Sequence, residues 1–89
     1  MREAYLEVTY RHGRPIAAYY YLPRAHGASS HTTRRAEQGM LVDLDQSGKP
    51  IGIEITAPSH VSLTSINKLL EELGQEPLTE SDLIPLLAA

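Results

Sequence analysis

The sequence has no cysteine among its 89 residues. This absence excludes disulfide bonds, thiolate metal sites and cysteine nucleophiles. No apolar run approaches the ~20 residues that a membrane-spanning helix needs. The first residues carry charge instead of an apolar stretch, so we expect no signal peptide. These absences predict a cytoplasmic protein that does not associate with a membrane.

The composition, with 42% apolar and 21% charged residues, is typical of an ordinary globular domain. A chain of this length predicts a single domain over residues 1–89, with a β-sheet in 1–57 and a helical segment in 58–89. Small domains bury a modest core, and a second subunit is a common supplement where disulfides are absent. We therefore expect a homo-oligomer.

The net charge of −3 conceals an uneven distribution, because residues 1–40 sum to +3 and residues 41–89 to −6. A basic segment can bind nucleic acid. Strong nucleic-acid binders usually have a basic domain, however, and this chain is acidic as a whole. We expect the basic part to face acidic groups of the same fold or of a second copy.

Two stretches with the alternation of β-strands, residues 4–10 and 16–22, flank a turn at His12-Gly13 and predict a hairpin. The second of these strands is apolar on both faces. Such a sheet is either covered on both faces, or covered by helices on one face and by a partner subunit on the other. Residues 23–31 predict a mobile loop, and Thr32–Glu37 predicts a short edge strand.

The clearest hairpin lies between Gly39 and Thr56, with a turn at Ser47-Gly48. Its apolar residues alternate with polar ones, and a slip of one residue would move them all to the other face. The predicted register places all six apolar residues on one face, with Met40 opposite Ile55, Val42 opposite Ile53 and Leu44 opposite Ile51.

Two short helices are predicted after the sheet. Apolar residues recur at helical spacing from Leu63 to Leu73, and Gly74 is suited to end that helix. A second helix begins at Thr79, which forms an approximate capping box with Asp82, and Pro85 limits or distorts it. Strands followed by helices predict an α+β fold, with an antiparallel sheet of four or five strands and two C-terminal helices.

The hairpin run from Gly39 to Ile55 resembles the signature hairpin of the YuzE-like family, small and mostly bacterial proteins grouped as a domain of unknown function. Tyr10 and the run Ala17–Leu22 resemble the first hairpin of that family, and the resemblance covers roughly residues 8–57. Arg11 stands where the family usually has an acidic residue. The resemblance implies a small, oligomeric α+β fold and supplies no activity.

The same hairpin matches the spacing of a calcium-binding loop, which needs acidic residues at set positions, a central glycine and a final glutamate. A true loop of this kind is flanked by helices, whereas the flanks here alternate as strands do, so a plain hairpin is the preferred interpretation. Asp43, Asp45 and Glu54 still project from one face of the predicted hairpin. They form a candidate metal site, a binding place for a partner's arginine, or an enzyme site.

Arg24, Arg34 and Arg35 are the candidate residues for binding a phosphate or a nucleic acid. Bases stack on aromatic rings, although tyrosines more often fill cores and interfaces. The residues predicted at an oligomer interface are Tyr19, Tyr20, Tyr21, Leu70 and Leu73.

Other motifs are weak. His12, His26, His31 and His60 have no spacing typical of a metal site. The serines next to His31 and His60 lack the glycine pattern of a nucleophile elbow. The second helix has acidic residues and no basic one, which argues against insertion into a DNA groove.

The sequence therefore favours a non-catalytic, homo-oligomeric interaction or regulatory module, with no catalytic residue and no cofactor assigned and an unidentified protein partner left open. One alternative is a nucleic-acid or phosphate-binding module that uses the basic 24–35 segment. The other is a weak cation site or an enzyme at the acidic 43–54 hairpin.

Overall fold

The computed structural model describes residues 3–24, 27–36 and 38–87. It has five strands, a short 3-10 turn and two helices, which confirms the predicted α+β fold. The elements are β1 (Tyr5–Arg11), β2 (Arg14–Tyr21), β3 (Thr32–Arg35), β4 (Met40–Leu44), β5 (Pro50–Ile55), the 3-10 turn (Pro58–His60), α1 (Leu63–Glu72) and α2 (Glu80–Leu87).

All five strands form one sheet in the order β1-β2-β5-β4-β3, and every pair is antiparallel. Both predicted hairpins, β1–β2 and β4–β5, are present. His12 and Gly13 both have positive φ, at 52° and 77°. Two such residues match a type I′ turn, whose twist suits a tight hairpin. Strand β5 is central, and β1 and β3 are the two edges.

The β4–β5 register differs from the predicted one at its turn. Met40 pairs with Ile55 and Val42 with Ile53, but Leu44 pairs with Pro50 instead of Ile51. The cause lies in the turn, where Asp45 Oδ1 accepts hydrogen bonds from the backbone N–H groups of Ser47 and Lys49, both at 2.9 Å. A side chain that bonds to its own turn competes with the strand ladder and displaces the register.

Strand β3 ends at Arg35, before the predicted end at Glu37, which lies outside the described residues. The strand is exposed along its whole length. Its partner is β4, in which Val42 pairs with Arg34. The predicted edge position is therefore confirmed.

Both helices pack on one face of the sheet and form the core with it. Each fully buried aliphatic side chain contributes roughly 1.5–3 kcal/mol through its burial. The core cluster contains Ala18, Tyr20, Leu22, Met40, Val42, Ile53 and Ile55 from the sheet region and Val61, Ile66, Leu69, Leu70, Leu83 and Leu86 from the helical segment.

The helices begin with side-chain caps. Ser62 Oγ accepts from the Ser65 N–H, and Ser65 Oγ accepts from the Ser62 N–H, both at 3.0 Å. The predicted box before α2 is confirmed, because the Thr79 N–H donates to Asp82 Oδ2 at 2.8 Å. Pro85 lies inside α2, and its carbonyl accepts a hydrogen bond from the Tyr10 hydroxyl. Within the described ranges, neither helix has the length and apolar character needed to cross a bilayer.

The other face of the sheet, here called the open face, has no helix of the described residues packed on it. Its side chains alternate with those of the core. The residues on this face are Tyr5, Glu7, Thr9, Ala17, Tyr19, Tyr21, Thr33, Arg35, Leu41, Asp43, Gly52 and Glu54.

Candidate functional site

The strand register places the residues of the open face in two rows that cross all five strands. The rows lie about 7 Å apart, since side chains on one face of a strand are two residues apart. From β1 to β3, the first row contains Tyr5, Tyr21, Gly52, Asp43 and Thr33. The second row contains Glu7, Tyr19, Glu54, Leu41 and Arg35.

Asp43 is the buried polar residue of this face, with 6% of its surface exposed. Its Oδ2 accepts a hydrogen bond from the Tyr19 hydroxyl at 2.7 Å, and its Oδ1 accepts one from the Thr33 hydroxyl at 2.7 Å. A buried carboxylate is costly unless its oxygens have such donors. Asp43 therefore links β2, β4 and β3 through side chains.

Gly52 makes the Tyr19–Asp43 contact possible. The Tyr19 ring crosses from its own row over the glycine to reach Asp43. A Cβ at Gly52 would lie 2.1 Å from Tyr19 Oη and 2.3 Å from two ring carbons. Local sequence patterns do not indicate the roles of Gly52, Thr33 and the Tyr19 hydroxyl. The one sequence signal is the glycine inside β5, because a glycine within a strand often marks a place where another group approaches the backbone closely.

Two ionisable groups next to Asp43 are perturbed. Burial, followed by the hydrogen bond to Asp43 and its charge, raises the pKa of the Tyr19 hydroxyl far above its ordinary value. Burial, followed by the charge of Asp43 and a hydrogen bond with it, raises the pKa of Glu54. Tyr19 therefore acts as a neutral hydrogen-bond donor, and Glu54 holds its proton more tightly than a free glutamate.

The predicted acidic trio is divided by the structure. Asp43 and Glu54 share the open face, whereas the Asp45 carboxylate is directed into the hairpin turn. There Asp45 also accepts a hydrogen bond from the Ser47 hydroxyl at 2.7 Å. The hydrogen bond from Ser47 is the main cause that lowers the pKa of Asp45. In the described part of the chain, no three acidic or histidine side chains are grouped so that they could hold a metal ion.

The three histidines among the described residues do not lie together. His12, His31 and His60 are exposed, and each lies in a different segment. His26 lies outside the described residues.

The three candidate arginines do not all lie on one face of the sheet. Arg24 donates a hydrogen bond to the Ile51 carbonyl, and its guanidinium carbon lies 5.5 Å from the Tyr21 ring centroid. Arg34 and Arg35 are consecutive strand residues, so their side chains leave opposite faces. Only Arg24 and Arg35 adjoin the open face.

The predicted interface residues also separate. Tyr20 and Leu70 are buried in the core of a single chain, at 7% and 0% exposure, so their side chains offer no surface to a partner. Leu73 packs against that core. Neighbouring residues of a strand face opposite ways, which places Tyr19 and Tyr21 on the open face.

The tyrosines of the open face form a contiguous cluster. The rings of Tyr5 and Tyr21 stack with centroids 4.3 Å apart, and Tyr19 lies 4.5 Å from Tyr21 in a tilted arrangement. Tyr5, which was not predicted as an interface residue, is 46% exposed. Together with half-buried Leu41, the cluster gives the open face an apolar surface.

Two cavities lie away from the acidic pair. One of about 640 Å³ is lined by Thr64, Asn67, Lys68, Glu71, Gln75 and Pro77, beside α1. Another, of about 420 Å³, lies where β3 turns into β4 and includes Arg35 and Leu41. Neither is lined by Asp43 or Glu54. No protein-family model matches the chain, and neither a curated protein nor a solved structure matches it.

Proposed function

We propose that the protein is a non-catalytic interaction module that associates with a second copy of itself through the open face. The main support for this proposal is that the two faces of the sheet are covered unequally. The helices cover one face, while the other presents three clustered tyrosines and a half-buried leucine. Aromatic residues are enriched at protein interfaces, where their large area is buried against a partner.

The polar groups of the open face support a structural role over a catalytic one. Both oxygens of Asp43 accept hydrogen bonds, one from the Tyr19 hydroxyl and the other from the Thr33 hydroxyl. Burial and the neighbouring Asp43 raise the pKa of Tyr19 above its ordinary value, so the hydroxyl stays a neutral donor. The hydroxyls of Tyr19 and Thr33 and the carboxylate of Asp43 are hydrogen-bonded to one another instead of being presented to a substrate. Such a network holds the side chains of the surface in place.

Membership of the YuzE-like family, a bacterial origin and a cytoplasmic location belong to the same proposal. The hairpin sequence from Gly39 to Ile55 supports the family membership. The short chain, with its modest core, supports the need for a partner subunit.

Sedimentation equilibrium on the full chain tests the self-association. The expected result is a dimer of 9.8 kDa subunits. Tyr5→Glu, which places a charge on the open face, is expected to weaken the dimer roughly tenfold or more, the scale of an interface aromatic.

Ile84→Glu is the matched control, because Ile84 is also an exposed hydrophobic residue, at 58% exposure, and lies on α2 instead of the open face. It is expected to leave the association unchanged. A wild-type protein that stays monomeric at high concentration would overturn the proposal. So would an equal effect of the two variants.

A further inference from the structure

Charge is distributed asymmetrically across the open face. Glu7 on edge strand β1 and Arg35 on edge strand β3 occupy the same row, and both are exposed. Each lies two strands from central β5, a distance of about 10 Å at the usual strand spacing. One end of the row is therefore acidic and the other basic, with β5 in the middle.

Symmetry limits how two open faces meet. Two copies that associate through the same face are related by a two-fold axis in the plane of the interface. Sheets that pack with aligned strands leave two orientations for this axis, either along the strands or across them.

The two orientations give opposite electrostatics. An axis across the strands places β1 on the partner's β1, so the two acidic ends meet and the two basic ends meet. An axis along β5 reverses the strand order but keeps the rows in place. It brings Glu7 opposite the partner's Arg35, and Arg35 opposite the partner's Glu7.

We infer that the second copy docks on the open face about a two-fold axis along β5, so that Glu7 pairs with the partner's Arg35 on both sides. The inference rests on the proposed self-association and specifies its geometry. The usual angle of about 30° between aligned sheets moves the strand edges by roughly 5 Å. The long arginine side chain spans this displacement.

The strand register also sets the other neighbours across this axis. Strand β2 lies over the partner's β4, and the Tyr19 ring, which crosses Gly52 on β5, lies close to the axis. By register, Tyr21 lies opposite the partner's Asp43, whose carboxylate is already hydrogen-bonded to the Tyr19 and Thr33 hydroxyls of its own chain. On the axis itself, Glu54 faces the partner's Glu54, where the two carboxyl groups repel each other when ionised.

Charge reversal tests the axis. Glu7→Arg and Arg35→Glu each place like charges in both symmetric pairs, and each is expected to weaken dimerisation roughly tenfold. The double variant Glu7→Arg/Arg35→Glu re-forms both pairs with reversed sign and is expected to return to within a few-fold of the wild type. The affinities are measured by sedimentation equilibrium at low salt, where charge pairs are least screened.

Two controls accompany these variants. Arg34→Glu makes the same charge change on the same strand, but its side chain leaves the opposite face, so no weakening is expected. A mixture of the Glu7→Arg and Arg35→Glu proteins is expected to form a heterodimer with affinity near the wild type. This recovery also shows that both single variants are folded.

The outcomes distinguish the two proposals. A dimeric wild type whose affinity is unaffected by either single reversal, or is not recovered in the double variant, overturns the axis along β5 and leaves self-association in place. A monomeric wild type overturns both.

Discussion

Gly52 and Tyr19 occupy the centre of the open face, where the tyrosine ring lies in the space that any other side chain at position 52 would need. Gly52→Ala is expected to lower the free energy of unfolding by about 1–3 kcal/mol, since an overpacked ring must move and its bond to Asp43 is lost. Urea denaturation measures this change. In a Tyr19→Ala background the cost of the alanine is expected to shrink, because the two residues are in contact. An equal cost in both backgrounds would contradict the explanation.

Glu54 predicts a pH dependence of stability. Its pKa is raised by folding, mainly through burial, so the folded protein binds this proton more tightly than the unfolded chain does. This contribution is complete below the ordinary glutamate pKa and is lost as the pH rises through the higher folded value. Glu54→Gln is therefore expected to be more stable than the wild type at neutral pH, with an advantage that shrinks on acidification.

Asp45 is expected to change the stability with pH in the opposite direction to Glu54. Its pKa is lowered, mainly by the Ser47 hydrogen bond, so its contribution is present above the ordinary aspartate pKa and is lost as the pH falls through the folded value. Asp45→Asn is expected to remove that acid-side loss. Thermal melts of both variants across the acidic range test the two signs, and the same sign in both would contradict this account.

Among the elements, helix α1 depends on the capping of its first turn for its stability. Ser62 and Ser65 satisfy two backbone N–H groups, and the helix places Ile66, Leu69 and Leu70 in the core. Ser62→Ala is expected to cost about 1 kcal/mol of unfolding free energy. Ser59→Ala, at an exposed position in the preceding turn, is the control and is expected to stay within about 0.5 kcal/mol of the wild type. Equal losses in denaturation experiments would contradict a role for the cap.

The whole chain is close to the size of a packed domain of its length. Its Cα radius of gyration is 12.5 Å, against about 12 Å from the scaling for compact domains. One face of the sheet is nonetheless left without a helix of the described residues. The proposed dimer covers that face. The stability of a dimer depends on protein concentration through mass action. The open-face and charge-reversal variants therefore need to be compared at matched concentrations.

Local patterns predicted the main strands and both helices of this protein, but not the 3-10 turn at Pro58–His60. The two hairpins, the edge strand, both helices and the Thr79 cap follow from residues close together in the chain, where periodicity and turn chemistry act directly. They also predicted most of the β4–β5 register. The shift at Leu44 was missed because the Asp45 side chain reorganises the turn.

The open face required the tertiary structure. Tyr19 and Asp43 are 24 residues apart, and they meet because β5 inserts between β2 and β4. The sequence pattern of β2, apolar on both faces, does not distinguish buried Tyr20 from the neighbouring tyrosines on the open face. The order of strands distant in the chain, and the face that the helices cover, depend on the packing of the whole core. No local periodicity contains that information.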